Sequence, residues 1–139
     1  MKSFISKSLA DTEKLASEIA IQLKKGDFLA LYGEMGAGKT AFVRGLISAI
    51  MPECLSLVHS PTFAIVNEYE GNELTIYHFD LYRIKSEDDL YSTGFYDYPA
   101  SECIMITEWS ELFEGAIPQN AIKVKIEILS DNERRFMVC

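Results

Sequence analysis

The 139 residues are one domain's worth of chain, 48% apolar and 24% charged, with 13 basic against 21 acidic side chains and a net charge of −8. That balance argues against a protein that grips a nucleic-acid backbone unaided, because such binding runs on a basic face and counterion release. No run approaches the roughly 18 apolar residues of a membrane span. The opening MKSFISKSLADTEK turns polar and acidic too early for a signal peptide, so cytoplasmic residence is expected.

Along the chain, Leu15, Ala16, Ile19, Ala20 and Leu23 recur at helical spacing and predict a helix over Asp11–Lys24. Either Ser8 or Asp11 is placed to cap it, and Gly26 suits its exit. DFLALY (27–32) reads as a short buried strand running into a glycine-rich loop. Phe42, Val43, Leu46, Ile47 and Ile50 mark a second amphipathic helix, stopped before Pro52.

A hairpin is expected next, with FAIVNEY (63–69) and LTIYHFDLY (74–82) flanking Glu70–Gly71–Asn72. Alternation puts Leu74, Ile76, His78 and Asp80 on one face of its second arm and Thr75, Tyr77, Phe79 and Leu81 on the other. A short helix follows around Ser86–Tyr91. CIMIT (103–107) is continuously apolar, as a strand buried on both faces should be. AIKVKIEIL (121–129) alternates strictly, and Asp131–Asn132 turn the chain into a last strand, RRFMVC. Together these predict a three-layer α/β domain with a mixed, partly parallel sheet edged by antiparallel hairpins.

The stretch Gly33–Thr40, GEMGAGKT, fits G-x-x-x-x-G-K-[ST] without a gap. Gly33, Gly36 and Gly38 allow the backbone to fold around a β-phosphate with its N–H groups turned inward. The helix that follows adds its positive end. Lys39 places an ammonium where β- and γ-phosphate oxygens meet, and Thr40 offers a hydroxyl to magnesium. A nucleoside triphosphate held by its phosphates is the reading of this loop.

Phosphoryl transfer also needs a carboxylate for the metal and a group that places the attacking oxygen. Two acids end apolar runs, Asp80 after LTIYHF and Glu108 after CIMIT. Glu108 better fits the rule that ligands gather beyond the carboxyl ends of parallel strands. Asp80 closes what reads as a hairpin arm, reaching the site from the side or pairing with nearby Arg83. In HSPTF (59–63), Pro61 holds the chain extended beside Ser60 and Thr62, either of which suits contact with a γ-phosphate or its metal. His78 reads as a hydrogen-bonded core histidine and Trp109 as a half-buried packing residue. Arg134 and Arg135 read as solvated charge on a late turn. Cys54, Cys103 and Cys139 lack metal or redox spacing and read as buried or idle thiols.

In this order and at these separations, GEMGAGKT, SPTF, YHFDLYR and TEWSE resemble the bacterial TsaE (YjeE) family over nearly the whole chain. The resemblance implies a P-loop NTPase domain that hydrolyses ATP weakly alone. It also implies partners, TsaB and TsaD, that hold the tRNA during threonylcarbamoyladenosine (t6A) modification, so that tRNA is met only through them. It places the ATP phosphates on Gly33, Glu34, Met35, Gly36, Ala37, Gly38, Lys39 and Thr40, adds Ala41 to the nucleotide-binding set, and places Mg2+ on Thr40 and Glu108. Lys39, Asp80 and Glu108 become the catalytic set, with Asp80 ordering water. Thr62 falls in a switch-like segment, Thr12 and Arg134 at nucleotide-contacting positions, and Trp109 beside the nucleotide. Glu34–Met35 stands where the family commonly has Asp-Leu, at a point where the loop works through its backbone.

Two other readings use the same loop. A small P-loop kinase would need an acceptor pocket and an arginine-rich lid, and Arg44, Arg83, Arg134 and Arg135 form no cluster of that kind. A GTP-type switch would carry N-K-x-D, which the chain lacks.

Overall fold

The computed structural model of the protein describes residues 2–59, 61 and 64–139. Among these, seven strands form one sheet in the order β1-β7-β6-β2-β5-β4-β3. The strands are β1 (Lys2–Ser6), β2 (Phe28–Tyr32), β3 (Val66–Glu70), β4 (Thr75–Asp80), β5 (Ile104–Glu108), β6 (Ile122–Ile128) and β7 (Arg134–Val138). The centre, β6-β2-β5-β4, is parallel throughout. Antiparallel β3 edges one side, and antiparallel β7 followed by β1 edges the other.

Helices α1 (Leu9–Ala20) and α2 (Lys39–Ile50) cover one face. Their apolar stripes, with Leu15, Ala16, Phe42, Val43, Leu46 and Ile47, pack on Leu29, Leu31, Ile76, Ile104, Ile106 and Val124. Phe42 stacks on Phe136 at 5.6 Å between centroids, and full burial of such a ring is worth about 1.5–3 kcal/mol. Helices α1 and α2 touch so closely that Gly45 has no room for a side chain: a Cβ there would meet the Ala16 Cβ at 2.6 Å. The opposite face carries the short helix α3 (Glu87–Ser92) and 3₁₀ turns at Phe95–Asp97 and Ser110–Ala116. Phe79, Leu81, Leu90, Phe95 and Met105 form the core there. The expected three layers are present, with the third thinner than the first.

The start of α1 uses both candidate caps. The Ser8 hydroxyl accepts from the Asp11 N–H at 3.1 Å, and the Asp11 carboxylate accepts from the Lys7 N–H at 2.9 Å, so two otherwise orphaned donors are satisfied. The helix is shorter at its far end than the periodicity predicts, because Gln22 and Leu23 bond to carbonyls three residues back, and that tighter winding closes the helix before Lys24.

Two differences from the sequence reading matter for the site. The edge strand β1 has no counterpart in it. More consequentially, β4 is a hairpin arm on one side and a parallel neighbour of β5 on the other, with Asp80 registered opposite Glu108. Asp80 therefore stands at a parallel strand's carboxyl end, and reaches the site from that end rather than from the side.

Candidate functional site

Because β2, β4 and β5 point the same way, Gly33, Asp80 and Glu108 gather at one edge of the sheet. The loop between β2 and α2 curls over this edge. Gly38 precedes α2 with φ of 104°, a left-handed conformation that a side chain would strain. Gly33 lies so close to its surroundings that a Cβ would come within 3.0 Å of the Ala37 Cβ and the Ile126 carbonyl oxygen.

Beside the loop lies a cleft of about 640 Å³ bounded by Met35–Ala41, Asp80, Tyr82, Arg83, Glu108 and Trp109. The expected catalytic set of Lys39, Asp80 and Glu108 is thus brought together, with Thr40 in the first turn of α2 facing the same space. Asp80 and Glu108 are 1% and 2% exposed. The Tyr82 N–H donates to Asp80 Oδ1 at 2.8 Å. His78, fully buried as expected of a core histidine, contacts Glu108 Oε2 through Nε2 at 2.5 Å.

Lys39 is also buried. Its ammonium donates to the Gly33 carbonyl and sits 3.5 Å above the Trp109 ring, a cation–π contact worth up to about 2 kcal/mol when desolvated. Burial pushes the Lys39 pKa down, while the carboxylates of Glu111, Glu108 and Asp80 act in the opposite sense. Trp109 reaches this position from a left-handed backbone, φ 61°, a conformation costly for a bulky residue. The indole also packs against Tyr82, 4.9 Å between ring centroids. Trp109 is therefore a packing residue whose packing partner is the loop lysine itself. Glu111 accepts from the Gly33 N–H at 3.1 Å, and nothing local in the sequence signals that contact.

Arg134 lies on β7, and its role differs from solvated charge on a turn. Its Nε donates to the Ala37 carbonyl and Nη2 to the Gly36 carbonyl, both at 3.1 Å. Nη1 donates to the carbonyls of Ser130, at 2.6 Å, and Glu133, at 2.9 Å. Arg135, on the opposite face of β7, pairs with Glu127 at 3.3 Å in the open. Arg134 also lines a second, smaller depression of about 210 Å³ with Thr12, Ser6, Asn132 and the far side of Gly36–Gly38 and Ala41. Thr12 and Arg134 therefore meet each other across the loop from the carboxylates, and not in the same cleft. Thr12 is fixed by a 2.7 Å hydrogen bond with Ser6 Oγ. Thr62 and its neighbour Ser60, expected at the γ-phosphate, lie outside the described residues.

A magnesium site is testable against this donor set. Magnesium takes one or two carboxylates and fills its remaining positions with water and phosphate oxygens. The described residues contain no group of three or more His, Cys, Asp and Glu able to hold a metal. Thr40 with Glu108, and Asp80 beside it, thus fits magnesium shared with a phosphate and not a metal in an all-protein cage.

The three cysteines are free thiols, with Cys54 and Cys103 buried and Cys139 exposed. Among the described residues no helix is long and apolar enough to cross a membrane.

Comparison with known proteins gives a consistent picture. The family model described as threonylcarbamoyl adenosine biosynthesis protein TsaE matches residues 6–136. The tRNA threonylcarbamoyladenosine biosynthesis protein TsaE of Aquifex aeolicus is 40% identical over 138 residues, covering 99% of this chain and 96% of that one. The Bacillus subtilis protein of the same name is 36% identical over 126 residues, 91% of this chain and 77% of its own. A crystal structure of Bacillus subtilis YdiB superposes with a TM-score of 0.75 at 28% identity, covering 99% of this chain and 83% of that one. With the family model spanning the chain from the end of β1 to β7, and relatives matched along most of their length, this protein belongs to the TsaE family.

Proposed function

We propose that this protein binds ATP with Mg2+ and hydrolyses it, slowly when alone, as the ATP-dependent subunit of the machinery that makes t6A in tRNA. Its partners there are TsaB and TsaD, and tRNA is met only through them. The observation that carries this reading is the register of Asp80 against Glu108 at parallel strand ends, both buried beside Lys39 and Thr40. Carboxylates gathered with a loop lysine beyond the carboxyl ends of parallel strands suit a metal–triphosphate complex. The net charge of −8 agrees with leaving tRNA to other subunits.

Each residue has a task that follows from its place. The loop amides and the positive end of α2 would hold the phosphates, with the Ala37 N–H giving up its bond to the Glu34 carbonyl. Lys39 leaves the Gly33 carbonyl and the Trp109 ring to meet the β- and γ-oxygens, where its charge offsets what builds up as the bond to the leaving group lengthens. Glu108 and Thr40 would hold the metal, which when bound neutralises phosphate charge. Asp80, whose carboxylate is oriented by the Tyr82 N–H through Oδ1, would order the attacking water. Trp109 and Tyr82 screen the cleft. The depression at Thr12 and Arg134 lies across the loop from the carboxylates, and suits the nucleoside end.

Calorimetric titration with ATP and GTP tests the binding reading. ATP is expected to be preferred, and Lys39→Ala to weaken it on the order of a hundredfold, since a charge-assisted contact is worth about 1.5–3 kcal/mol. Unchanged affinity in that variant would sink the site assignment, and ADP appearing only together with a phosphorylated acceptor, with no free phosphate, would point to a kinase.

A further inference from the structure

The buried contact of His78 with Glu108 belongs to a longer chain of hydrogen bonds. Asn67 Nδ2 donates to the His59 carbonyl at 2.9 Å and approaches the Tyr69 hydroxyl at 3.4 Å. The Tyr69 hydroxyl meets His78 Nδ1 at 2.9 Å, and His78 Nε2 meets Glu108 Oε2 at 2.5 Å. Tyr69 and His78 are 1% and 0% exposed, so each of these groups depends on the others.

The order of donors follows from chemistry. An amide N–H can only donate, so Asn67 donates to the Tyr69 oxygen. Burial raises the Tyr69 pKa, which keeps the phenol protonated, and its hydrogen is then given to His78 Nδ1. Nε2 is left to carry the ring's hydrogen and donate it to Glu108. Among the described residues, no other side-chain hydrogen bond holds Glu108. Its strand-end position alone does not fix which way the carboxylate turns.

We infer that His78 is a positioning residue: it turns Glu108 so that the other carboxylate oxygen is presented to the metal, and Tyr69 and Asn67 set the tautomer that lets it do so. This rests on the magnesium reading of Glu108 above. Outer partners of this kind typically change metal affinity about 10–100-fold when removed. The chain also links β3 and the residue before Ser60 mechanically to that carboxylate, because Asn67 bonds to both Tyr69 and the His59 carbonyl.

The test measures the affinity of a non-hydrolysable ATP analogue in EDTA and across a magnesium chloride series, for wild type, His78→Leu and His78→Gln. Leucine keeps most of the bulk but withdraws the donor, whereas glutamine places an N–H near the position of Nε2. For His78→Leu, the magnesium midpoint should rise about tenfold or more, with affinity in EDTA unchanged. His78→Gln should restore much of the difference. An unchanged midpoint in His78→Leu, or a loss of affinity equal with and without magnesium, would overturn the inference while leaving the metal reading intact. A wild-type protein indifferent to magnesium would remove the metal reading, and this inference with it. Nitrogen-15 NMR of the wild-type ring tests the same point without any variant. The Nε2–H tautomer is expected, and the Nδ1–H tautomer would refute it.

Discussion

Adjacent arginines with opposite surroundings offer a sharp test of how the phosphate loop is held. Arg134 binds the Gly36 and Ala37 carbonyls, whereas Arg135, among the described residues, reaches only Glu127 on the outer face. Those two carbonyls belong to the phosphate loop itself, and holding them restrains the loop's backbone. A hydrogen bond to a charged group is worth about 1.5–3 kcal/mol. Because the guanidinium is partly wet and water can replace some of the loss, roughly 2 kcal/mol is the expected loss for the loop-directed pair together. Spent entirely on loop preorganisation, that is a ten- to thirtyfold loss of nucleotide affinity in Arg134→Ala. Arg134→Lys should recover little, since an ammonium lacks the fork that reaches two carbonyls at once. The Arg135–Glu127 pair, with side chains 41% and 51% exposed, is worth about 0–1 kcal/mol, so Arg135→Ala should bind like wild type. Calorimetry on the three variants, with urea unfolding to confirm that each is folded, decides the matter. Arg134→Ala binding within twofold of wild type, or Arg135→Ala losing as much, would refute the clamp.

The close approach of α1 and α2 predicts that Gly45→Ala destabilises the fold despite alanine's better helix propensity. Overpacking costs about 1–3 kcal/mol and propensity returns about 1, so thermal unfolding should fall by several degrees. Ala16→Gly in the same chain should recover much of that loss, and a Gly45→Ala protein as stable as wild type would show that the helices can part freely. A pH dependence follows from Lys39. Burial holds its pKa below the usual lysine value in the free protein, and an anionic ligand raises it. Binding then takes up a proton, so affinity should be full below the free-state pKa and weaken as pH rises through it. Nucleotide titrations across the alkaline range check this, and a Lys39→Arg protein should lose that dependence; an equal dependence in the two would assign the effect elsewhere.

Much of this was legible in the chain because the phosphate loop is contiguous and its glycines carry their reason locally. The buried strands β2 and β5 and the amphipathic helix α2 are equally plain. Strand β1 was not, since Lys2–Ser6 is a mostly exposed edge whose partner, β7, lies more than 120 residues away in sequence. The parallel pairing of β4 with β5 was hidden for a different reason. Alternation in YHFD sorts faces but is identical whether a neighbour is parallel or antiparallel, so Asp80 read as an arm's end rather than as Glu108's counterpart. Arg134 looked solvated because its acceptors, Gly36 and Ala37, are distant backbone carbonyls that leave no trace in neighbouring residues. Its separation from Arg135 came only from the pleat of β7. The contact of Lys39 with Trp109 is likewise long-range, although the tryptophan itself sits in the TEWSE stretch that first suggested the family.

The most direct test of the account is t6A formation on tRNA reconstituted from TsaB, TsaD and the threonylcarbamoyl donor, with and without this protein and ATP. Modification is expected to require both over repeated turnovers, and to fail with Asp80→Ala protein that still binds ATP. Full modification without this chain, or without ATP, would contradict the account.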